Sequence, residues 1–373
     1  MKIKRVPTFG RQDRTKFERY VRASHGEPLI PVRFSDDDAV FGPSLRSIRT
    51  YMRNCFESRD PRGRPFRIYP GFVHKEELNA FAWRFEEVHV CGIYAGLAVA
   101  LLEFSHFCFS RRELFKEIGS PARERSPSPM TGYAPGLWIL RSDVLTDTAN
   151  FQERVRWLTP VDPQRSAMAY YMCHLALRFV WLHELYHCLN GHVGFEISRH
   201  EPFCLDERPK ANLGTAFGRQ RRCLEFDADQ SAFWTSCQIQ LNGTDNIIGI
   251  GRLDRELRLK LLLFAIYGTL WILEETHRRG RLRRSPSHPS PYTRLHNVVR
   301  CLAADVAPAS SDLAAIQQAA LAECDVLGTI LPRFFTGRRV LQDIEARRIL
   351  QEISRYGRSL DTLRAGFIRF GYQ

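Results

Sequence analysis

The sequence has 373 residues, of which 44% are hydrophobic and 12% aromatic, enough for a sizeable core and too apolar for a globally disordered chain. Its 54 basic and 41 acidic residues leave a net charge of +13, but the basic residues are mostly scattered Arg, so charge alone does not favour nucleic acid as the main partner. The ten cysteines include no CxxC pair, which argues against a disulfide framework or a Cys-rich zinc ribbon and is typical of reduced cytoplasmic thiols.

The chain divides into three predicted parts. Residues 1–70 mix Arg, Pro and Gly with short apolar patches and predict an N-terminal extension of unclear fold. The start of this extension lacks the apolar segment of a signal peptide, so we expect a cytoplasmic protein. Residues 71–305 form the predicted main domain, and residues 306–373 form a predicted helical C-terminal region. The expected fold class is α+β, mainly helical with a small sheet.

The first strong patterns lie between residues 75 and 136. The stretch ELNAFAWRFEEVHVCGIY alternates as strands do, and the apolar run that follows to Phe104 predicts a helix. This run and LLLFAIYGTLWIL (261–273) are both shorter than the ~18–20 residues of a membrane-spanning helix. We therefore expect buried helices and no stable insertion into a membrane. The Pro- and Ser-rich segment 119–136 predicts an exposed loop.

A long helix is predicted from Gln164 to about Asn190. Asp162 is suited to the N-cap, Pro163 to the first helical position, and Gly191 to the C-terminal stop. The segment that follows, residues 193–222, has no clear period. It predicts a lid, a substrate-binding loop or a partly disordered segment, and the sequence does not choose among them.

Three further helical segments follow along the chain. Helical patterns cover about residues 222–240 and 254–276, and helical patterns return from residue 312 onward. The basic, Pro-rich stretch 278–293 interrupts them. No internal repeat is visible.

The HELYH motif near the end of the long predicted helix carries the strongest chemical signal. His183 and His187 are four residues apart and share one helix face, so both imidazoles can bind one metal ion. Glu184 is adjacent and can act as general base toward a metal-activated water. The alternative interpretation is a buried helix whose histidines only form hydrogen bonds. His174, about half a turn out of phase, is interpreted as an ordinary helix histidine.

A zinc site needs a third protein ligand, and the sequence offers two candidates for it, His192 and Glu225. His192 follows closely, but it misses the register of the extended HExxHxxGxxH pattern by one position. Glu225, in CLEFDADQSA, is the favoured ligand, because Asp229 lies four residues later on the same helix face and can orient a ligand histidine. The acids in this stretch could also belong to a solvated helix start.

Four motifs in order, NAFA, HELYH, LEFDAD and SHPSPYTR, give the chain a family resemblance. It resembles the soluble catalytic domain of the gluzincin metallopeptidases that include the HtpX heat-shock protease and the CAAX prenyl protease. The resemblance covers about residues 75–300 and implies a zincin-like domain with Zn²⁺ bound by His183, His187 and Glu225. Members of that family usually carry transmembrane helices, which this sequence does not predict.

The resemblance also implies roles outside the ligand set. Asn79, Ala80, Phe81 and Ala82 would lie on an edge strand of the small sheet and would pair with an extended substrate. In SHPSPYTR, His288, or Tyr292 in its place, would donate a hydrogen bond to the oxyanion. Arg294 matches the Arg of the family motif and would lie in the surroundings of the ligands, where it could equally pair with an acid for structural reasons.

These observations lead to one main hypothesis and two rivals. The main hypothesis is a zinc-dependent endopeptidase acting on a protein or peptide substrate, with Glu184 as general base and Asp229 orienting a ligand histidine. The first rival is a non-catalytic zincin-like scaffold that binds a protein partner or nucleic acid through its basic surface. The second rival is a zinc hydrolase acting on a non-peptide bond. The sequence reveals neither the substrate nor the oligomeric state.

Overall fold

The structure is a computed structural model that describes residues 9–29, 40–127, 134–137, 157–197, 205–206, 215–242, 253–279, 294, 297–298, 311–331, 351, 354–359, 361 and 369–371. The described chain is mainly helical with one small sheet, which confirms the predicted α+β class. In chain order the elements are α1 (Arg11–Ser24), β1 (Glu27–Leu29), α2 (Phe41–Asn54), β2 (Ile68–His74), β3 (Ala80–Phe85), β4 (Val88–Tyr94), α3 (Ala95–Phe109), α4 (Pro163–Leu189), α5 (His192–Ile197), β5 (Leu205–Asp206), α6 (Thr215–Leu241), α7 (Arg255–Arg279) and α8 (Ser311–Ile330).

The sheet has the strand order β1-β2-β4-β3-β5, with β2 and β4 parallel and the other neighbours antiparallel. β3 and β4 confirm that this stretch forms strands, but their burial does not alternate, because every residue of β4 is buried. β1 comes from the predicted N-terminal extension, and the predicted boundary between residues 70 and 71 falls inside β2. The division of the chain into three parts otherwise stays a prediction.

Helix α3 confirms the predicted apolar helix, and every one of its residues is buried. A helix that is apolar on all sides needs such surroundings, because no face of it is suited to water. Gly96 allows the first turn of α3 to lie close to the backbone of Glu76, since a Cβ atom at residue 96 would lie 1.9 Å from the carbonyl oxygen of Glu76. Within the described ranges, no helix combines the length and the apolar character needed to cross a bilayer.

Helix α4 is the central element and follows the predicted helix closely. The Asp162 carboxylate accepts hydrogen bonds from the backbone N–H groups of Gln164 and Arg165, which are otherwise unpaired in the first turn. At the other end Gly191 takes a positive φ of 82°, the left-handed conformation that ends helices. Helices α2, α3, α6 and α7 and strands β3 and β4 all pack against α4.

The side chain of Arg165 is buried beneath the loop that follows α3. Its guanidinium nitrogens donate hydrogen bonds of 2.8–2.9 Å to five backbone carbonyl oxygens of that loop. The five acceptors belong to Phe109, Arg111, Leu114, Phe115 and Ile118. One charged side chain therefore satisfies acceptors that burial would otherwise leave without donors.

The segment predicted as an exposed loop contains one fully buried acid, Glu124. Its two carboxylate oxygens accept hydrogen bonds of 2.9 Å from the backbone N–H groups of Val161 and Asp162, and one of them lies 3.7 Å from Arg165. The prediction of an exposed loop is wrong at this position, because the carboxylate joins the loop to the start of α4. It is also wrong at Pro127 and at residues 134–136, which are buried.

His106 on α3 gives the fold a predicted sensitivity to acid. Burial lowers its pKa from the ordinary 6.5 to about 4, so the folded protein keeps this imidazole neutral. Because the unfolded chain takes up a proton more readily, the contribution to stability is complete above pH 6.5 and is lost as pH falls through 4. For His106→Leu we expect the drop in unfolding free energy between pH 8 and pH 4 to shrink by about 3 kcal/mol. Denaturant titrations at both pH values measure this drop, and an unchanged drop would contradict the assignment.

The described C-terminal residues return to the middle of the fold. Helix α8 packs against α7, in agreement with the predicted helical pattern. Further along, Gly371 and Arg59 exchange two backbone hydrogen bonds of 2.8 and 3.0 Å. The N–H of Phe370 donates to the carbonyl oxygen of Leu189, the last residue of α4. The segment Arg369–Gly371, here called the C-terminal strap, is thereby fixed against the end of that helix.

Candidate metal centre

Two helices, α4 and α6, pack side by side and carry the candidate site. Ala228 and Ala232 on α6 are fully buried, and their small side chains allow a close approach to α4. Tyr186 on α4 adds a polar link, because its hydroxyl lies 2.5 Å from the hydroxyl of Thr235 on α6. The bulky residue inside HELYH thus helps to hold the two helices together.

The structure brings the three predicted metal ligands to one point. The Nε2 atoms of His183 and His187 lie 3.0 Å apart. Glu225 Oε2 lies 3.3 Å from His183 Nε2, and Glu225 Oε1 lies 3.7 Å from His187 Nε2. All three side chains are buried, and this group could hold a metal ion. The sequence placed these residues 42 positions apart at most, so their convergence depends on the packing of α4 on α6.

The electrostatics of this group favour a cation. Burial alone would lower the pKa of His183, but the hydrogen bonds and charges of Asp229 and Glu225 outweigh it and raise the pKa to about 10. A site that holds a proton this firmly is one in which carboxylates outnumber positive charges at short range. A metal ion would compete with that proton for the same ring nitrogen.

Asp229 lies behind His183, and Arg294 lies next to Asp229. Asp229 Oδ1 lies 3.0 Å from His183 Nδ1, so the carboxylate faces the ring nitrogen opposite the one that points at Glu225. Arg294 donates to both carboxylate oxygens of Asp229, at 2.7 and 2.8 Å. Burial alone would raise the pKa of Asp229, but Arg294 and His183 lower it, so the group stays a carboxylate.

Glu184 is buried on α4, next to His183 in the chain. His288, together with Tyr292, lies outside the described residues, so its predicted contact with an oxyanion stays a prediction.

The prediction of an edge strand at residues 79–82 is wrong, because β3 has neighbouring strands on both sides. Ala80 to Ala82 belong to β3, and their side chains and that of Asn79 are buried. β4 pairs with one side of β3, and on the other side β5 pairs at Phe81↔Asp206 and Ala82↔Leu205. β5 comes from the segment 193–222, which the sequence left open as a lid or a loop. The substrate role of this strand stays a prediction.

His192 lies at the start of α5, just beyond the stop of α4, and is fully buried. Its Nδ1 atom is 3.0 Å from His187 Nδ1, the ring nitrogen on the far side from His183 and Glu225. It therefore does not join the group of three ligand atoms. Its Nε2 atom lies 2.9 Å from Asp227 Oδ2. Burial lowers the pKa of His192, despite the opposing effect of Asp227.

Asp227 is the residue of this region that the sequence interpretation did not use. Its Oδ2 atom accepts hydrogen bonds from Asn190 Nδ2 at 3.0 Å and from an Arg369 guanidinium nitrogen of the C-terminal strap at 3.3 Å. The signal in the sequence was Asp227 itself, the acid of LEFDAD that lies between Glu225 and Asp229. The i, i+4 spacing selected only those two neighbours.

No family model, curated protein or solved structure matches this chain. The resemblance to gluzincin peptidases therefore rests on the sequence motifs, and the geometry of the site stands on its own residues.

Proposed function

We propose that the protein is a zinc-dependent endopeptidase with a zincin-like catalytic domain. One observation carries this proposal: the spacing of the three buried donor atoms of His183, His187 and Glu225. Zinc bonds of about 2.0–2.1 Å in a tetrahedral arrangement require ligand atoms roughly 3.3 Å apart. The two Nε2 atoms lie 3.0 Å apart, and each faces a different oxygen of Glu225, His183 at 3.3 Å and His187 at 3.7 Å. One donor atom from each of the three residues lies within 4.8 Å of the other two.

The type of donor supports zinc over other ions. Two imidazoles and one carboxylate match the ligand sets of catalytic zinc sites, in which the fourth position stays open. Magnesium and calcium prefer oxygen ligands, and structural zinc sites are closed by four side chains, usually with cysteines. Bound zinc would supply a Lewis acid that lowers the pKa of water and polarises a carbonyl group.

The side chains of the site have three different proposed roles: metal binding, orientation of a ligand and proton transfer. His183, His187 and Glu225 would hold the ion, and the pair of Asp229 and Arg294 would orient the ring of His183. A carboxylate oxygen of Glu184 takes a proton from the attacking water and delivers it to the nitrogen of the leaving amine. This transfer leaves Glu184 unchanged at the end of the cycle, as a catalyst requires.

β3 is the proposed place for the substrate backbone. An extended peptide could pair with β3 through main-chain hydrogen bonds near residues 79–82. Because β5 already pairs with Phe81 and Ala82, a substrate would have to take the place of β5 at these two residues. Pairing through the main chain places few demands on side chains, so the proposal covers proteins and peptides as a class.

Replacing Glu225 tests the ligand set. We expect Glu225→Ala to weaken zinc binding by more than about 100-fold, beyond the usual effect of removing a residue that only supports a ligand. Competition against a chromophoric chelator measures the dissociation constant. Glu323→Ala is the matched control, because that carboxylate pairs with Lys260 on α7 and lies outside the ligand group. Equal zinc affinity in the Glu225 variant and the control would contradict the proposed site.

The function itself is tested on the purified full-length protein. Zinc content is determined by elemental analysis, and a mixture of unstructured proteins and peptides is incubated with the protein, with and without a chelator. We expect zinc near one ion per chain and new peptide termini that the chelator suppresses. Absence of zinc together with steeply salt-dependent DNA binding would favour the non-catalytic scaffold instead. Cleavage of esters or other bonds, with peptides left intact, would favour a different hydrolase.

A further inference from the structure

A buried path of hydrogen-bonding groups runs from the candidate metal centre away from Glu225. It passes from His187 Nδ1 to His192 Nδ1 over 3.0 Å, and from His192 Nε2 to Asp227 Oδ2 over 2.9 Å. His187, His192 and Asp227 are all at most 2% exposed. Neither contact touches the Nε2 atom of His187, which faces His183 and Glu225.

The donor and acceptor of each hydrogen bond can be assigned by starting from Asp227, where the path ends. Asn190 Nδ2 and the Arg369 guanidinium can only donate, and both lie within 3.3 Å of Asp227 Oδ2. That oxygen is therefore an acceptor, and His192 donates to it from Nε2. A neutral imidazole carries one N–H, so His192 Nδ1 must accept. His187 then donates from its own Nδ1.

These hydrogen bonds determine which ring nitrogen of His187 can bind a metal ion. If His187 carries its proton on Nδ1, its Nε2 is free of a proton and its lone pair points toward His183 and Glu225. His183 also has a carboxylate on this side of its ring, because Asp229 Oδ1 lies 3.0 Å from its Nδ1. Each imidazole is thus held by its own carboxylate, one directly and one through a second imidazole.

Helix geometry explains why His192 lies between Asp227 and His187. Asp227 lies two residues from both Glu225 and Asp229 on α6, about 160° around the helix from each of them. It therefore cannot join them on the face that meets His183. The turn at Gly191 brings His192 back against His187, and this ring spans the distance that the Asp227 side chain does not.

We propose that His192 and Asp227 are positioning residues that fix the tautomer and the ring orientation of the metal ligand His187. This inference rests on the proposed function, since it requires that His187 binds zinc. Outer partners of ligand histidines typically contribute 10- to 100-fold to metal affinity.

The test compares zinc dissociation constants of purified full-length variants at one fixed pH. We expect His192→Phe and Asp227→Leu each to weaken zinc binding by about 10- to 100-fold. Asp227→Asn should recover much of the loss, because its amide oxygen can keep the place of Oδ2. The matched control is His174→Phe, which replaces another buried histidine of the same region, on α4 but outside the ligand group, and should bind zinc as tightly as the wild type.

A second measurement does not depend on folding of the variants. Nitrogen-15 chemical shifts of the wild-type imidazoles report which ring nitrogen carries the proton. We expect His192 to be protonated at Nε2 and His187 at Nδ1, and the opposite tautomers would overturn the inference. Zinc affinities within threefold of wild type for folded His192→Phe and Asp227→Leu would overturn it as well.

The outcomes separate this inference from the proposed function. Wild-type protein that binds zinc without hydrolysing peptides, while the variants bind weakly, would remove the peptidase and keep the positioning role. Wild-type protein that hydrolyses peptides, with unchanged zinc affinity in the variants, would remove only the positioning role. Wild-type protein that binds no zinc would remove both.

Discussion

Glu184→Gln should abolish peptide hydrolysis while leaving zinc binding intact. General bases typically contribute about 10²- to 10⁴-fold to a rate, and we expect a loss at the upper end, because the same group also returns the proton to the leaving amine. The glutamine side chain has nearly the same size as glutamate and cannot accept the proton. Initial rates on a cleaved peptide, combined with a zinc titration, measure the two effects separately.

Glu103→Gln is the matched control for this substitution. Glu103 is also a buried acid, on α3, where its carboxylate accepts a hydrogen bond from the N–H of Gly136. We expect the folded control to hydrolyse peptides at the wild-type rate. Hydrolysis by the Glu184 variant at the rate of the control would show that another group acts as the base. Loss of zinc from the Glu184 variant would show that the residue binds the ion.

Arg165→Met should lower the free energy of unfolding by about 3–5 kcal/mol, the range for removing one partner from a buried ionic network. Methionine keeps the apolar stem and removes every donor. The five carbonyl oxygens of the 109–118 loop would lose their hydrogen bonds, and Glu124 would lose the positive charge 3.7 Å away. Unfolding in urea, followed by circular dichroism, measures the change.

An arginine in an exposed ion pair provides the comparison. Arg14 pairs with Glu18 one helical turn away, and its side chain is 43% exposed. We expect Arg14→Met to change the unfolding free energy by less than about 0.5 kcal/mol, as is usual for such pairs. If Arg165→Met costs no more than the exposed variant, the carbonyl contacts do not stabilise the loop.

The sequence predicts the features whose signals are local. The N-cap at Asp162 and the stop at Gly191 fix both ends of α4, because each depends on a single turn of backbone. The spacing of His183 and His187 fixes their shared face for the same reason. Glu225 was predicted as their partner with the help of its i, i+4 spacing to Asp229, and the packing of α6 on α4 brings it close to both histidines, in a group that could hold a metal ion.

Features that join distant parts of the chain left no such signal. Helical periodicity stops at the cap of α4, so it could not show that the turn at Gly191 brings His192 back against His187. The pairing of β5 with β3 joins a two-residue strand to a segment 123 or more positions away, without a pattern of its own. The contact between Arg369 and Asp227 depends on where the C-terminal strap meets α4.

The C-terminal strap also sets an order of events during synthesis. Arg369 leaves the ribosome 142 residues after Asp227, its hydrogen-bond partner. At typical translation rates of ~5–20 residues per second, that interval is roughly 7–28 seconds. A nascent chain can therefore bring α4 and α6 together, with all three ligand side chains present, well before the strap arrives. The last donor to Asp227 is added to a centre that the growing chain has already had time to assemble.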